Sequence, residues 1–405
     1  MLAAIHKDVF GASQHLCLDG ETFWRLDTIP PNVWTVGDNN SKMQIEWLSR
    51  LLNDPIPDVG TLSQRSSMSS ICPNRDAPIP WHYVLSKSEY RNQLQKLVKS
   101  VESLVSPVPR YASTLVRNMD FIRSLSRLKV DQELLSAHLR RADLNISSQS
   151  SLRTFNPSCE GFADPIVYDI LSTSTGRMTI ATGPQVLIQP SDTRDIIVSR
   201  YPGGKVYSVD FVSLEPRVLK SLAGGPPAPT DIYSHVQSIV GVKSLTREQV
   251  KKTIISILYG ASSKKIGELS TTGNASSIVA FVKEYFGVNE IFSKLEFSFN
   301  EKNLIENFYG RPLRVDAESR HVWLNHFVQS TAVDVALGGF ANCSKNLREI
   351  SDLILPIALI HDAILYDVPA EYDQDFVRSL SEGILTDLGV FPITISENSR
   401  GVKCE

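Results

Sequence analysis

The chain has 405 residues, of which 42% are hydrophobic and 21% are charged. This is a globular composition, with enough length for two or three subdomains. The longest apolar run, 353–360, is far shorter than the roughly 20 residues that a membrane helix needs, so we expect no membrane partner. The five cysteines lack CxxC spacing and the first residues lack the layout of a secretory signal, so we expect reduced thiols, a cytoplasmic location and no zinc site.

Charge is unevenly distributed along the chain. The net charge is only −3, yet residues 81–155 contain twelve Lys or Arg against six Asp or Glu. A basic segment attached to an acidic body is typical of a protein that binds a polyanion and performs chemistry with carboxylates. A solvated helical surface explains the charge pattern equally well.

In chain order, residues 1–80 show weak periodicity and many turn formers, which predicts an irregular appendage. Apolar residues then recur at steps of three and four over 87–139, which predicts helices. A strand is predicted at 206–211, followed by a mainly helical block to about residue 344. The end of the chain, 353–369, predicts a β-hairpin with His-Asp-Ala at its turn. The pattern as a whole indicates an α+β protein.

Two carboxylates stand out at predicted strand ends. Asp210 follows the apolar residues of one strand, and Asp362 lies at the tip of the hairpin. A buried carboxylate without a partner costs several kcal/mol. Two aspartates at strand ends match the oxygen ligands that a pair of Mg²⁺ ions requires for phosphoryl chemistry. The simpler alternative is that Asp362 forms the turn and Asp210 acts as a cap.

A helix with a polar stripe is predicted from residue 246 onward. Thr246 and Gln249 form a capping box, which marks the helix start. One face of the helix then carries, at intervals of four residues, Arg247, Lys251, Ile255 and Tyr259. Cations beside the free N–H groups of a helix start suit a phosphate chain. A basic amphipathic surface helix accounts for the cations but less well for the Tyr-Gly pair that ends the stripe.

These segments together resemble family A DNA polymerases, the DNA polymerase I family. The stretch DFVSLEPR at 210–217 resembles motif A, residues 247–260 resemble the motif B helix, and IHD at 360–362 resembles motif C. TGR at 175–177 is similar to the segment that leads into the palm, and 325–334 is similar to N-x3-QGTAAD. The motifs occur in the family's order over roughly 120–405.

The resemblance implies a right-hand polymerase fold, possibly of a phage-type member, with an antiparallel-sheet palm, helical fingers and a reduced helical thumb. It divides the chain into an N-terminal appendage without a complete exonuclease domain (1–80), a thumb-like basic helical region (81–155), the first part of the palm (156–222), the fingers (223–315) and the second part of the palm (316–405). The implied function is template-directed addition of dNTPs to a primer 3′-hydroxyl, with primer–template DNA as partner and two Mg²⁺ ions, for which Mn²⁺ can substitute, as cofactors. A monomer is expected.

The resemblance also implies roles for single residues. The metal ligands are Asp210, Asp362 and the Phe211 carbonyl, and Lys251 is the catalytic cation. The nucleotide contacts are Arg247, Lys251, Ile255, Tyr259, Glu215 and Tyr233. The primer–template contacts are Arg177, Arg217, Asn325, Gln329 and His361. Glu215, hydrogen-bonded to Tyr259, is expected to lie beneath the sugar and to exclude a ribose 2′-hydroxyl.

Some residues depart from the family pattern. Ile255 replaces an aromatic residue, and Tyr233 stands where a histidine is usual. Asp19-Gly20-Glu21 mimics the opening motif of a proofreading exonuclease, but too few residues follow it before the basic helices, so no proofreading is expected. Two rivals remain: a single-subunit RNA polymerase, which Glu215 disfavours, and a catalytically silent primer–template binding protein, which the intact Asp210 and Asp362 disfavour.

Overall fold

The computed structural model describes residues 3–10, 12–19, 22–38, 40–57, 85–106, 110–224, 226–240, 246–260 and 275–398. The chain divides into two compact units, 1–116 and 117–405. In the described ranges, no helix combines the length and the apolar character that a membrane span needs.

The first unit is built on a small sheet. Its elements are β1 (Ala3–Ile5), α1 (Lys7–Phe10), β2 (His15–Asp19), β3 (Thr22–Leu26), β4 (Trp34–Val36), α2 (Ile45–Leu52) and α3 (Lys87–Val105). The strand order is β3-β2-β1-β4, in which β1 and β4 run parallel and the other pairs antiparallel. The expectation of an irregular appendage over 1–80 is therefore wrong for its described part. Three of the strands are nearly buried throughout and only three to five residues long, so they show no alternating pattern.

Helix α3 belongs to the same unit as this sheet. It begins at a capping box between Ser86 and Glu89. Its buried face includes Leu97 and Leu104, and the helix contacts α2 and β1. The division between the units falls inside α4 (Ala112–Arg123). The boundary expected at residue 80 is thus not where the compact units separate.

The second unit contains most of the chain. Its first elements are β5 (Lys129–Val130), α5 (Gln132–Leu139), α6 (Ile146–Arg153), β6 (Val167–Asp169), β7 (Thr179–Thr182), a 3-10 helix (Ser191–Ile196) and β8 (Ile197–Val198). Next come β9 (Lys205–Phe211), α7 (Leu214–Ala223), α8 (Ile232–Val240), α9 (Arg247–Leu258), α10 (Ala275–Tyr285) and α11 (Val288–Lys302). The last part comprises β10 (Ile305–Glu306), β11 (Pro312–Leu313), a 3-10 helix (Ala317–Val322), α12 (Trp323–Ile350), β12 (Leu355–Ile360), β13 (Ala363–Val368), a 3-10 helix (Ala370–Tyr372), α13 (Asp373–Ser379), β14 (Ile384–Thr386), β15 (Gly389–Phe391) and β16 (Ile393–Glu397).

A four-stranded antiparallel sheet with the order β12-β13-β9-β16 forms the centre of this unit. Strand β9 lies between β13 and β16, and Asp210 pairs in register with Ala363 on one side and Thr394 on the other. The predicted hairpin is confirmed, because β12 and β13 are joined by residues 361–362 alone. The α+β class is also confirmed.

The long helix α12 packs against this sheet. Gly339 permits the close approach, since a Cβ at this position would lie 3.2 Å from the ring of Phe211 on β9. The next residue, Phe340, places its ring centroid 5.0 Å from that of Phe211. The packing fixes the end of β9, where Asp210 lies, against the middle of α12.

A separate apolar core lies among the helices of the predicted fingers. It joins α8, α9, α10, α11 and the start of α12 through buried side chains such as Val236, Ile254, Val282, Ile291 and Trp323. Because Ile254 and Ile257 hold the inner face of α9 in this core, the polar stripe of α9 lies on its outer face.

Candidate active site

The two predicted metal ligands lie close together at one end of the strands of the central sheet. Asp210 is the penultimate residue of β9, and Asp362 is the second residue of the turn between β12 and β13. The Phe211 amide donates to the Asp362 carbonyl at 3.3 Å, which ties the strand end to the turn. His361 has a φ of +56°, in the left-handed region, which allows residues 361 and 362 to form a tight turn between β12 and β13. In this turn His361 is exposed and Asp362 is half-buried.

The surroundings of Asp210 disfavour its charged form. Burial, followed by the nearby charge of Asp362, raises the pKa of Asp210 from 3.8 to about 7, against the opposing charges of Lys251 and Arg194. The Oδ1 atom of Asp210 is buried and finds no hydrogen-bond donor among the residues that the structure describes. A hard divalent cation fits this arrangement, because it takes carboxylate oxygens as ligands and would offset the repulsion between the two aspartates.

The donor set is small. Across the described ranges, no cluster of three or more His, Cys, Asp or Glu side chains is placed to hold a metal ion. A site with two carboxylates leaves most coordination positions for water or phosphate oxygens. That pattern is usual for Mg²⁺, which retains several non-protein ligands.

Helix α9 starts where the sequence predicted and carries the predicted stripe of side chains. Thr246 and Gln249 form the capping box, and Lys251 is exposed on the outer face. The charge of Lys251 acts on Asp210, so the outer face of α9 lies near the end of β9. Ile255 and Tyr259, further along the stripe, are half-buried.

Arg247, at the start of α9, is held by an ion pair. Its Nε donates to Asp231 at 2.8 Å, and its guanidinium lies 5.6 Å from the centre of the Tyr233 ring. Although partial burial raises the pKa of Asp231, hydrogen bonds from Arg247 and Ser234 outweigh this effect and lower the pKa to about 2. Tyr233 is only 2% exposed and hydrogen-bonds Ser213, so its ring supports Arg247 from beneath.

Glu215 is bound on both of its carboxylate oxygens. It lies in the first turn of α7, where Tyr259 donates its hydroxyl to Oε2 and Arg177 donates Nη2 to Oε1 at 3.0 Å. The predicted Glu215–Tyr259 hydrogen bond is therefore present. Burial raises the pKa of Glu215, and the charge and hydrogen bond of Arg177 oppose this rise.

A cavity of about 600 Å³ joins these groups. The predicted site residues that line it are Arg177, Asp210, Phe211, Glu215, Tyr233, Lys251, Ile255, Gln329, His361 and Asp362. Tyr259 reaches the cavity wall through Glu215, and Arg247 lies one helical turn before Lys251. The two aspartates, Lys251 and the Glu215 carboxylate thus surround one space.

Helix α12 contributes the predicted DNA contacts Asn325 and Gln329. Gln329 lines the cavity, and Asn325 lies one turn earlier with a buried Oδ1 that has no hydrogen-bond partner in the described part of the chain. Further along the helix, the buried Asp334 accepts hydrogen bonds from Asn118 at 2.7 Å and Asn307 at 2.6 Å. These bonds satisfy a buried carboxylate and fix the helix that carries Gln329.

The predicted DNA contact of Arg217 is wrong. Arg217 is only 3% exposed, and its guanidinium donates to carbonyls of the chain itself. The acceptors are Val212 at 2.7 Å, Ala228 at 3.3 Å, Pro229 at 2.9 Å and Thr230 at 2.5 Å. Arg217 therefore holds the connection between α7 and α8 against the end of β9, and it has no exposed donor to offer a DNA strand.

Sequence reasoning missed Arg194. It lies on the 3-10 helix 191–196, and its Nε is buried without a hydrogen-bond partner among the described residues. Its charge acts on Asp210 and opposes the rise in the pKa of that carboxyl. No periodic pattern marks this segment, so only the fold could reveal the proximity.

The second compact unit of the chain matches a described protein family. The model of the family described as DNA polymerase family A matches residues 165–393. The DNA polymerase of Mycobacterium phage L5 is 27% identical over 223 residues, which cover 52% of this chain and 35% of the phage protein. The DNA polymerase of Mycobacterium phage D29 is 26% identical over 249 residues, covering 57% and 39%. The chain therefore spans less than two fifths of the length of these curated relatives.

Among solved structures, a polymerase domain has the same fold. The POL domain of Pol1 from M. smegmatis, in complex with DNA primer-template and dNTP, aligns with a TM-score of 0.63 at 10% identity. The alignment covers 99% of this chain and 95% of that domain. The predicted polymerase fold is thereby confirmed at the level of the backbone.

Proposed function

Because this chain belongs to DNA polymerase family A, we propose that it is a template-directed DNA polymerase that adds dNTPs to a primer 3′-hydroxyl and releases pyrophosphate. Its substrates are dNTPs, and its partner is primer–template DNA. The observation that carries the proposal is that Asp210, at the end of β9, and Asp362, next to its register partner Ala363, line one cavity of about 600 Å³ together with Lys251. The names of the phage relatives and of the structural match support the same reaction.

Asp210, Asp362 and the Phe211 carbonyl would hold two Mg²⁺ ions in this site. When bound, they would supply the positive charge that activates an attacking oxygen and stabilises a leaving one. The orphaned Oδ1 of Asp210 supports this assignment.

The remaining residues bind and orient the substrates. Lys251, and Arg247 once it releases Asp231, neutralise the triphosphate beside the start of α9. Glu215 occupies the space beneath C2′ of the sugar and is held there by Tyr259. A ribose 2′-hydroxyl would therefore be excluded sterically.

The test is primer extension by wild type and by Asp210→Asn and Asp362→Asn, with dNTPs or rNTPs and with or without Mg²⁺. Each variant should lose dNTP incorporation while it still binds primer–template. Asp375→Asn, an exposed aspartate on α13, is the matched control and should retain full activity. More than about a tenth of wild-type turnover in either variant, a loss below ~1.4 kcal/mol in the barrier, would refute the metal assignment. Wild-type extension with rNTPs alone would favour an RNA polymerase, and binding without extension a silent DNA-binding protein.

We also propose that the chain does not proofread. Asp19 ends β2, whereas Gly20 and Glu21 lie outside the described residues. A 3′-mismatched primer incubated with Mg²⁺ and no nucleotide should keep its length. Shortening that disappears in Asp19→Ala would overturn this proposal.

A further inference from the structure

Arg177 reaches Glu215 from a turn that is itself held rigidly. The Thr173 hydroxyl donates to the Arg177 carbonyl at 2.8 Å, and the Gly176 amide donates to the Thr173 carbonyl at 3.2 Å. Gly176 has a φ of +77°, and a Cβ there would lie 2.7 Å from Nη1 of Arg311. Arg311 is 1% exposed and donates Nη2 to the Ile170 carbonyl at 2.8 Å, so a buried guanidinium braces the turn before Arg177.

The two oxygens of Glu215 are held from different parts of the unit. Arg177, on the turn that precedes β7, binds Oε1, and Tyr259, at the end of α9, binds Oε2. With only one of these partners, the carboxylate could pivot about the remaining hydrogen bond. With both partners, its position is determined.

We propose that Arg177 is a specificity-determining residue for the sugar of the incoming nucleotide, acting by holding Glu215 in the path of a 2′-hydroxyl; the proposal rests on the proposed polymerase function. Tyr259 fixes only one carboxylate oxygen of Glu215, the residue that we call the sugar gate. Arg177 fixes the other, and it does so from a braced turn rather than from the helix that carries Lys251.

Arg177 is well placed to connect this gate to the primer. Its side chain is 58% exposed, whereas that of Glu215 is 24% exposed. A guanidinium has five N–H donors in a planar fork, so the bond to Glu215 leaves others for a nucleic-acid acceptor. A primer terminus bound there would meet the same residue that positions the sugar gate.

The decisive measurement is the ratio of rNTP to dNTP incorporation efficiency. Arg177→Met should raise this ratio about threefold to tenfold, the lower value reflecting the exposure of the ion pair. Arg177→Lys, which keeps a cation within reach of Glu215, should recover most of the discrimination. In a Glu215→Ala background, Arg177→Met should leave the ratio unchanged, because the gate that it positions is gone. Arg378→Met removes an exposed, ion-paired arginine of α13 and is the matched control.

Three results separate the possibilities. If Arg177→Met lowers rNTP and dNTP efficiency equally and raises only the KM for primer–template, Arg177 serves the primer alone and the proposal is wrong. If wild type incorporates neither nucleotide, the proposed function fails. The coupling between Arg177 and Glu215 is measured separately by urea unfolding of the two single variants, Arg177→Met and Glu215→Gln, and of the double variant. The unfolding constant of the double variant should differ about threefold from the value that the two single effects predict, and strict additivity would overturn the inference.

Discussion

Replacing Asp210 by asparagine should stabilise the metal-free chain above pH 7 while it abolishes activity. Burial, followed by the charge of Asp362, raises the pKa of Asp210 from 3.8 to about 7. The folded chain therefore holds a proton that the unfolded chain releases near pH 4. This favourable contribution is complete below about pH 4 and is lost as the pH rises through 7. Above pH 7 the folded chain carries a charged aspartate in a site that disfavours it.

The magnitude follows from that pKa. At about 1.4 kcal/mol per pKa unit, a rise from 3.8 to about 7 corresponds to roughly 4 kcal/mol. Asp210 is only half-buried and Lys251 lies nearby, so solvent screening reduces the expected gain to about 1–2 kcal/mol. Asparagine fills nearly the same volume without the charge, which makes it the appropriate replacement.

The assay is urea unfolding of wild type and Asp210→Asn in EDTA at intervals from pH 5 to pH 8. The advantage of the variant should be largest at pH 8 and should shrink toward pH 4. Added Mg²⁺ should then stabilise wild type more than the variant, since a ligand of the folded state raises its stability. A difference in the free energy of unfolding that is absent at pH 8, or does not vary with pH, would refute the reasoning.

Asp231→Asn is a control in which the free energy of unfolding should change in the opposite direction. Partial burial raises the pKa of Asp231, but the hydrogen bonds from Arg247 and Ser234 have the larger effect and lower the pKa to about 2. That stabilising contribution is present above pH 4 and is lost only as the pH falls through about 2. Asp231→Asn should therefore lower stability equally at pH 5 and pH 8.

Further outcomes are expected for four variants. Asp231→Asn should lower the KM for dNTPs at low salt, because Arg247 no longer has to leave an ion pair of 2.8 Å before it binds phosphate; an unchanged KM would mean that Arg247 does not contact the nucleotide. Arg217→Lys should lower the free energy of unfolding by about 1–3 kcal/mol, since a lysine cannot serve all the carbonyls that the guanidinium holds, while the KM for primer–template stays constant; a weakened DNA affinity in a stably folded variant would restore the DNA role. Glu215→Ala should raise the ratio of rNTP to dNTP incorporation and reduce overall activity, and Ile255→Tyr should alter discrimination at the 3′-position; an unchanged ratio in Glu215→Ala would show that Glu215 does not face the sugar.

Local signals in the sequence were sufficient for much of the candidate site. The two-residue interval between apolar runs predicted the hairpin that carries Asp362, and the Thr246–Gln249 capping box predicted the start of α9. The hairpin and the helix start depend on backbone hydrogen bonding and side-chain patterns within a few residues, and they can therefore be read from the chain alone. The hydrogen bond between Glu215 and Tyr259 joins residues 44 positions apart, and it was expected only because the two segments resemble motifs of the family.

Other features required the tertiary structure. Three of the four strands of the N-terminal sheet are short and buried along nearly their whole length, so no alternation of apolar and polar residues marks them. Arg217 and Arg177 look alike in sequence, yet the first is enclosed by carbonyls of the α7–α8 connection and the second reaches Glu215. An arginine forms its bonds with whichever acceptors the fold brings near, and those acceptors lie 5 to 13 residues away in one case and 38 in the other. Chain composition determines that a guanidinium needs partners; only the packing of distant segments decides whether they come from the protein or remain to be supplied by a ligand.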